Sequence, residues 1–166
     1  MKKLAARNVQ YPVVAEFVFS NNEWVIDSVD GVKKTFGSTV GNSTDPLESG
    51  LTAGTGVVFD CIPMPIGAVI VGGEIIVETA FVGIGAGATL NLGIAGSTSA
   101  LISAFDLDGA AANARQALLL TSTLLCNAGQ NIRLTTAGLT ATATAGKVRV
   151  RVQYTTDGKA NENVIA

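Results

Sequence analysis

The residues that could perform acid–base or nucleophilic chemistry are carboxylates, lysines and cysteines, because this 166-residue chain contains no histidine. Histidine is the commonest general base, and its absence excludes every Ser–His and Cys–His arrangement. Glu74 and Glu78 are the best-spaced carboxylates, but four residues of β-strand separate them by roughly 13 Å, at ~3.3 Å per residue. Paired catalytic carboxylates lie closer together than that. We therefore predict that the protein is not an enzyme and that both glutamates belong to a solvated strand face.

Two loops match parts of known binding motifs without the structure that those motifs require. Residues 83–88 (GIGAGA) fit the G-x-G-x-x-A dinucleotide fingerprint, but the next residues, TLNLGIAGS, favour a strand where the motif needs a helix. Asp106 and Asp108 precede Gly109 as in part of a calcium loop, but the closing glutamate of an EF-hand is missing. We predict turns at both places, no cofactor and no metal centre. A weak ion site built from several loops stays open at the two aspartates.

The two cysteines, Cys61 and Cys126, each lie in an apolar, strand-like segment. One interpretation is a pair of buried free thiols that act as small hydrophobes. The other is a disulfide between neighbouring strands, which implies an oxidising compartment. A redox or metal role lacks a second cluster of ligands in the sequence.

The most regular alternation in the sequence lies at residues 147–154, where valines alternate with Lys147, Arg149 and Arg151. Period-2 alternation predicts a strand with one buried and one polar face. The three cations share the polar face, which is either a solvent face that discourages edge pairing or a basic strip that contacts an acidic partner. An aspartate at the intervening position Val150 would be buried without a partner, so Val150→Asp is predicted to prevent folding.

The composition limits the classes of partner. Only 14% of the residues are charged, against ~25% in typical soluble domains, so part of the surface is predicted to be covered by other protein. A net charge of -2 and a pI near 5.0 give no basic field for nucleic acid.

Residues 79–105 are uncharged but interrupted by Gly, Ser, Thr and Asn, which indicates strands and turns rather than a membrane span. Polar residues at positions 7–10 interrupt any signal peptide, so we predict that the chain is not secreted.

The segment at residues 57–82 has the densest apolar content and is predicted to organise the core. Its prolines, Pro63 and Pro65, predict a rigid corner between two strands, and Gly72-Gly73 predicts a bulge in the second. Alternation places one set of apolar residues on the inward face and the two glutamates on the other face. That inward set is Val69, Val71, Ile75, Val77 and Phe81.

The remaining segments predict short strands joined by polar turns. Residues 1–12 form an N-terminal arm, and strands at 13–20, 24–29 and 32–36 form a meander in which a turn at Asp30-Gly31 sets Asp27 opposite Lys34. Residues 37–56 are a long loop. Further strands are predicted at 88–95, 118–126, 131–136 and 147–154. Residues 98–120 are predicted to form either a short helix or a crossing loop between strands, with the helical turn near 110–118. We predict an all-β, jelly-roll-like antiparallel β-sandwich: a single domain at 13–156, with an N-terminal arm and hairpin and a C-terminal tail at 157–166.

Three stretches carry a resemblance to a known family: residues 33–41 (KKTFGSTVG), 57–81 and 145–155 (AGKVRVRVQYT). Together they resemble the jelly-roll capsid decoration, or cement, proteins of tailed bacteriophages. The resemblance implies a virion protein, assembled in the host cytoplasm, that binds the outer face of the head and bridges major capsid subunits without covalent bonds. It also implies a homo-oligomer, a dimer or trimer, with no catalytic residues and no nucleic-acid or membrane partner. The candidate capsid or subunit interface consists of Lys2, Lys3, Arg7, Tyr11, Lys147, Arg149 and Arg151.

Another function fits the same fold class. A carbohydrate-binding, lectin-like module of a head or tail fibre would use the loop at 37–56, with Trp24 or Asp45 as contact residues. An enzyme on a β-sandwich scaffold is the third hypothesis, which the missing histidine disfavours. Glycan binding that depends on Trp24 or Asp45 would distinguish the lectin from the capsid protein.

Overall fold

The computed structural model describes residues 12–21, 23–26, 28, 31, 33–35, 57–120, 125–126, 130–141 and 143–156. Within these ranges the chain forms eleven β-strands and no helix, and hence none that could span a membrane. The strands are β1 Val13–Ser20, β2 Trp24–Ile26, β3 Lys33–Thr35, β4 Val58–Ile62, β5 Ala68–Val82, β6 Thr89–Ile94, β7 Ser97–Asp106, β8 Arg115–Ala117, β9 Leu125–Cys126, β10 Ile132–Ala137 and β11 Ala145–Thr156. The predicted all-β class is confirmed.

Two antiparallel sheets enclose one hydrophobic core. Sheet 1 has the order β1-β11-β5-β8, with β9 also paired to β5, and sheet 2 has the order β4-β10-β6-β7. Buried side chains of both sheets belong to one core cluster. This strand order, in which the chain passes repeatedly from one sheet to the other, is that of a jelly roll. The β2–β3 hairpin lies outside both sheets, between β1 and β4 in the sequence.

The proline corner at residues 63–67 takes the chain from sheet 2 to sheet 1, as predicted. Pro63 and Pro65 cannot donate to a ladder, and the Ala68 amide donates to the Pro65 carbonyl at 3.1 Å to close the turn. β4 therefore ends in one sheet and β5 begins in the other.

The Gly72-Gly73 bulge is present, but it reverses the faces of β5, so part of the predicted inward set is wrong. Tyr154 pairs with Ile70 while Gln153 pairs with Gly72, which leaves Val71 as an extra residue. A one-residue insertion exchanges the two faces of a strand. Ala68 and Ile70 are consequently buried before the bulge, whereas the predicted Val69 is only partly buried and Val71 is exposed. Beyond the bulge, the predicted burial of Ile75, Val77 and Phe81 is confirmed.

The predicted N-terminal meander is wrong in the partner of its first strand, although that strand has the predicted bounds and the second and third strands pair as predicted. β1 pairs with β11 at the far end of the chain, and β2 pairs only with β3. Phe17 and Phe19 on β1 contact Phe59 of β4 in the opposite sheet, with ring centroids 5.9 and 5.6 Å apart. Burial of these rings requires β1 to lie over the core instead of in a peripheral hairpin.

The hairpin also has a different register from the predicted one. Lys34 lies opposite Val25 in the β2–β3 pair, whereas the prediction placed it opposite Asp27. Asp27 and Asp30 lie outside the described residues. So do the long loop, the C-terminal tail and residues 1–11 of the predicted arm.

Several strands of the second half of the chain lie where they were predicted, but β7 was missed. Its ten residues, Ser97–Asp106, overlap the segment predicted as a short helix or a crossing loop. β6 and β10 occupy the predicted positions, and Val148, Val150 and Val152 of β11 are fully buried. Near residues 110–118 the chain forms a turn followed by β8, not a helix. Of the strand predicted at 118–126, the described residues show β9 at its end, whereas Leu119 and Leu120 are exposed and lie outside any strand. Residues 121–124 lie outside the described part.

Candidate functional site

The outer face of sheet 1 carries a strip of charged side chains contributed by four strands. Side chains alternate along each strand, so burial of the valines of β11 turns Lys147, Arg149 and Arg151 outward. The register of β1 sets Glu16 opposite Arg151, and that of β5 sets Glu74 opposite Arg151 from the other side. We call this group the charge strip; its members are Glu16, Glu74, Glu78, Arg115, Lys147, Arg149 and Arg151.

Arg149 and Arg151 of β11 connect this strand to its two neighbours, β1 and β5, through ion pairs. Arg149 Nε donates to Glu78 Oε1 at 2.6 Å, and the same guanidinium pairs with Glu16 on the opposite side. Arg151 Nε donates to Glu16 Oε2 at 2.7 Å and approaches Glu74 at 3.7 Å. The two arginines therefore hold β1 and β5 against β11 by side-chain as well as backbone hydrogen bonds.

The ends of the strip are more exposed. Lys147 Nζ lies 3.0 Å from Glu78 Oε2, and Arg115 Nη1 of β8 lies 3.4 Å from Glu74 Oε2. The side chains of Lys147 and Arg115 are 44% and 60% exposed, so solvent screens these pairs and they add little to stability. Four cations and three carboxylates leave the strip with one net positive charge.

The ion pairs lower the pKa values of two carboxyl groups. Hydrogen bonding from Arg151, assisted by the charge of Arg149, lowers the pKa of Glu16. Hydrogen bonds from Lys147 and then Arg149 lower the pKa of Glu78. Both glutamates are consequently ionised at neutral pH, so neither is suited to act as a general acid.

Low pH is therefore expected to destabilise the folded protein, because protonation of Glu16 and Glu78 removes their ion pairs in sheet 1. A carboxyl group whose pKa is lower in the folded state stabilises the protein above its unfolded pKa, and this stabilisation is lost as the pH falls through the folded pKa. The melting temperature should decline below about pH 4.3, the ordinary pKa of glutamate. The Glu16→Gln/Glu78→Gln variant should melt lower at pH 7 and show a shallower decline in acid, measured by circular dichroism. An acid decline as steep as that of the wild type would contradict this assignment.

A second polar group lies on the outer face of sheet 2, beside a shallow groove. Arg133 Nε donates to Asp60 Oδ1 at 2.9 Å, and Asn131 donates to the other oxygen at 3.1 Å. Partial burial raises the pKa of Asp60, but these hydrogen bonds outweigh burial and lower the pKa overall. The groove is lined by Phe17, Trp24, Val25, Ile26, Ser28, Phe59, Asp60 and Arg133.

The exposed Trp24 indole in this groove is the feature nearest to a sugar-stacking platform. Its side chain is 59% exposed, but the charged groups beside it, Asp60 and Arg133, are engaged with each other. Asp45, the other predicted sugar contact, lies outside the described residues. The carbohydrate-binding alternative stays a prediction.

The loops that resembled binding motifs form turns between strands. Residues 83–88 connect β5 to β6 without a helix. Asp106 Oδ1 accepts a hydrogen bond from the Gly109 amide at 2.9 Å, which closes its own turn. Among the described residues no group of three potential ligands could hold a metal ion.

Cys61 is a free, buried thiol. Its Sγ donates to the Ile132 carbonyl at 3.3 Å, and burial raises the pKa of the thiol to about 12. The thiolate is the reactive form of cysteine, so Cys61 is inert as a nucleophile. Of the two predicted alternatives, the buried free thiol holds for Cys61.

Comparison with known proteins gives one likeness, at the level of the fold. Neither a protein-family model nor a curated protein matches the sequence. The structure matches a chain of the solved "Cyanophage Pam1 capsid asymmetric unit" with a TM-score of 0.60. The match covers 93% of this chain and 94% of that chain, at 19% sequence identity. The two chains therefore share a fold along almost their whole length.

The structure brings together only part of the predicted interface. Lys147, Arg149 and Arg151 lie side by side in the charge strip, where carboxylates of the same sheet neutralise them. Lys2, Lys3, Arg7 and Tyr11 lie outside the described residues. Sequence reasoning missed Glu16, which stands alone among the apolar residues of β1, because its role depends on the pairing of β1 with β11. The signal in the sequence was that Glu16 is the one charged residue of the strand predicted at 13–20, which indicates a charged partner on a neighbouring strand.

Proposed function

We propose that this protein is a virion structural protein: a capsid decoration protein that binds the outer face of a phage head. It bridges neighbouring major capsid subunits through non-covalent contacts. The observation that carries the proposal is the likeness in fold, over 93% of the chain, to a chain of the Cyanophage Pam1 capsid asymmetric unit. The motif resemblance in the sequence supports the proposal independently.

The physical character of the molecule is consistent with a structural role. The described residues hold no candidate metal centre, and the nucleophile among them, Cys61, is buried with a raised pKa. The charges at the centre of sheet 1 are paired with one another across its strands. A sandwich of this kind can present two broad faces to neighbouring subunits.

In this proposal the arm residues and the Lys147 end of the charge strip contact the capsid, and the opposite end of the strip at Arg115 does not. Lys2, Lys3 and Arg7 add three positive charges at the start of a chain whose net charge is -2. Without these three positive charges, the rest of the chain has a net charge of -5. A basic arm on an acidic body suits a capsid surface with acidic patches, and Lys147 is more exposed than Arg149 and Arg151, the other strip cations of the predicted interface.

The test is binding of the purified protein to phage heads prepared without it. Wild-type protein should co-sediment with such heads and raise the temperature at which they rupture. The Lys2→Ala/Lys3→Ala/Arg7→Ala variant should bind at least about tenfold more weakly, a loss of ~1.4 kcal/mol. Its own melting temperature should match that of the wild type.

A matched control is Lys33→Ala/Lys34→Ala/Arg115→Ala, which removes the same number of positive charges outside the proposed interface. This variant should bind heads as the wild type does. Equal weakening by both variants would mean that only overall charge matters. Failure of the wild type to bind heads, or binding without any effect on their rupture temperature, would refute the decoration function.

A further inference from the structure

Strand β1 forms a long, unprotected edge of sheet 1. Natural proteins protect sheet edges by keeping them short, adding lysine or proline, introducing bulges or covering them. β1 has eight residues, VVAEFVFS, with one charge, no proline and a regular register to β11 throughout. It spans about 26 Å at ~3.3 Å per residue.

The hydrogen-bond pattern shows which backbone groups of β1 point away from the sheet. The Asn21 amide donates to the Gly146 carbonyl at 2.9 Å, in register with the β1–β11 ladder. In an antiparallel pair, the backbone groups of alternate residues bond to the partner strand. The backbone amides and carbonyls of Phe19, Phe17 and Ala15 therefore point towards β11. The amides and carbonyls of the intervening residues Val14, Glu16 and Val18 therefore point outward.

Ser20 confirms this alternation. Its amide and carbonyl both bond to Glu23, on the side of β1 away from β11. In the part of the chain that the structure describes, the six outward groups of Val14, Glu16 and Val18 meet no hydrogen-bond partner.

The other three sheet edges are short or partly covered. β8 has only three residues, and adjacent residues of its loop bond back to β5 through Asn113 and Leu118. On sheet 2, the Ser28 amide donates to Val58 of β4, and the Leu119 amide donates to Leu101 of β7. β7 is longer than β1, with ten residues against eight, but the Leu101 carbonyl of β7 already has a partner in Leu119. β1 therefore differs from these edges by combining eight residues with outward groups that have no partner among the described residues.

Exposed apolar residues occur at the start of β1 and on the hairpin that follows it, which shares a groove with Phe17 of β1. Val13 and Val14 of β1 are 49% and 55% exposed, and Trp24 and Ile26 of the following hairpin are 59% and 51% exposed. Contiguous exposed apolar surface marks an interaction site. This edge therefore combines unpaired backbone groups with apolar surface.

We propose that β1 of one molecule pairs antiparallel with β1 of a second copy, about a two-fold axis at Glu16, so that the two copies of sheet 1 form one continuous sheet. In this register Val14 lies opposite Val18 of the second copy, and all six outward groups of each copy are bonded. The two Glu16 side chains face each other, but Arg149 and Arg151 of each copy already compensate them.

The composition of β1 favours a second copy over the N-terminal arm as the occupant. Five of the eight residues of β1 are valine or phenylalanine, which favour strands. The arm sequence MKKLAARNVQ consists mainly of residues that do not. A two-fold pairing is also self-complementary, as the interface of a symmetric dimer must be.

The test is the mass of the isolated protein by sedimentation velocity, with amide hydrogen exchange by NMR. The wild type should be a dimer in which the amides of Val14, Glu16 and Val18 exchange as slowly as those of Ala15 and Phe17. Val18→Pro removes an outward amide that has no partner among the described residues, a position where an edge strand tolerates proline. This variant should be a folded monomer, with fast exchange at Val14 and Glu16.

A second variant covers the case in which the proline prevents folding. Val14→Lys/Val18→Lys keeps every backbone group and places lysines at the edge, which should also give a monomer. The control, Val71→Lys/Val82→Lys, changes two exposed valines of β5 and should stay dimeric.

Three outcomes would overturn the proposal. A dimer that persists in the Val14→Lys/Val18→Lys variant would mean that another surface joins the copies. A monomeric wild type with slow exchange at the three outward amides would mean that the chain covers its own edge. A monomeric wild type with fast exchange there would mean that the edge is open. Because the experiment contains no phage heads, its failure would leave the capsid-binding proposal standing.

Discussion

The Val150→Asp variant is expected to accumulate as insoluble protein, with no cooperative melting transition in any soluble fraction. Val150 lies at the centre of β11, between Phe17 of β1 and Ile75 of β5, and its side chain is fully buried. A carboxylate at this position would lose its hydration without gaining a partner, at a cost of several kcal/mol. Typical domains are stable by only ~5–15 kcal/mol, so this one change removes a large part of the total.

Gln153→Asp is the matched control, because it introduces the same residue on the same strand at an exposed position. It should give soluble protein with a melting temperature close to that of the wild type. The measurement is the soluble fraction after expression, followed by thermal melting with circular dichroism. A soluble Val150→Asp protein that melts as the wild type does would contradict the burial of this face of β11.

Gly73→Ala is expected to destabilise the protein by roughly 2–6 kcal/mol, from backbone strain of ~1–3 kcal/mol and overpacking of similar size. Gly73 has a φ of +142°, a conformation that residues with a Cβ rarely adopt. A Cβ there would also lie 2.2 Å from the Arg151 carbonyl oxygen and 2.7 Å from a methyl group of Leu118. Backbone of the neighbouring strand cannot move aside without breaking the β5–β11 ladder.

The adjacent glycine supplies the control for this prediction. A Cβ on Gly72 would meet only the Gln153 side-chain amide, at 3.1 Å, and this flexible side chain can rotate away. Gly72→Ala should therefore cost much less than Gly73→Ala in urea unfolding experiments. Equal losses of unfolding free energy for the two variants would show that the bulge does not depend on the conformation of Gly73.

Features that depend on neighbouring residues in the sequence could be predicted. The alternation at residues 147–154 correctly gave the buried and exposed faces of β11, since period 2 reports the face directly. Pro63 and Pro65 correctly indicated a corner, because proline restricts the backbone by its own chemistry. The Gly72-Gly73 pair correctly indicated a bulge. Its effect on Val69 and Val71 was missed, because the position of the extra residue depends on the partner strand.

Features that depend on distant partners could not be predicted. β1 was expected to pair with the next strand, but it pairs with β11, more than a hundred residues away in the sequence. The decisive interaction is the packing of Phe17 and Phe19 against Phe59, which no local pattern reveals. The same pairing brings Glu16 to Arg149 and Arg151, so the charge strip could not be assembled from the sequence without this register.

The pairing of β1 with β11 also determines how the molecule responds to tension. Val13 lies opposite Tyr154, so the chain enters the first strand and leaves the last strand at the same end of one ladder. A force that pulls the start of β1 away from the end of β11 would break the hydrogen bonds between these strands one after another, from that end. A load applied across the faces of the sheets would instead be shared by many bonds at once. A protein built in this way withstands force best when it is held by its surfaces and not by its ends.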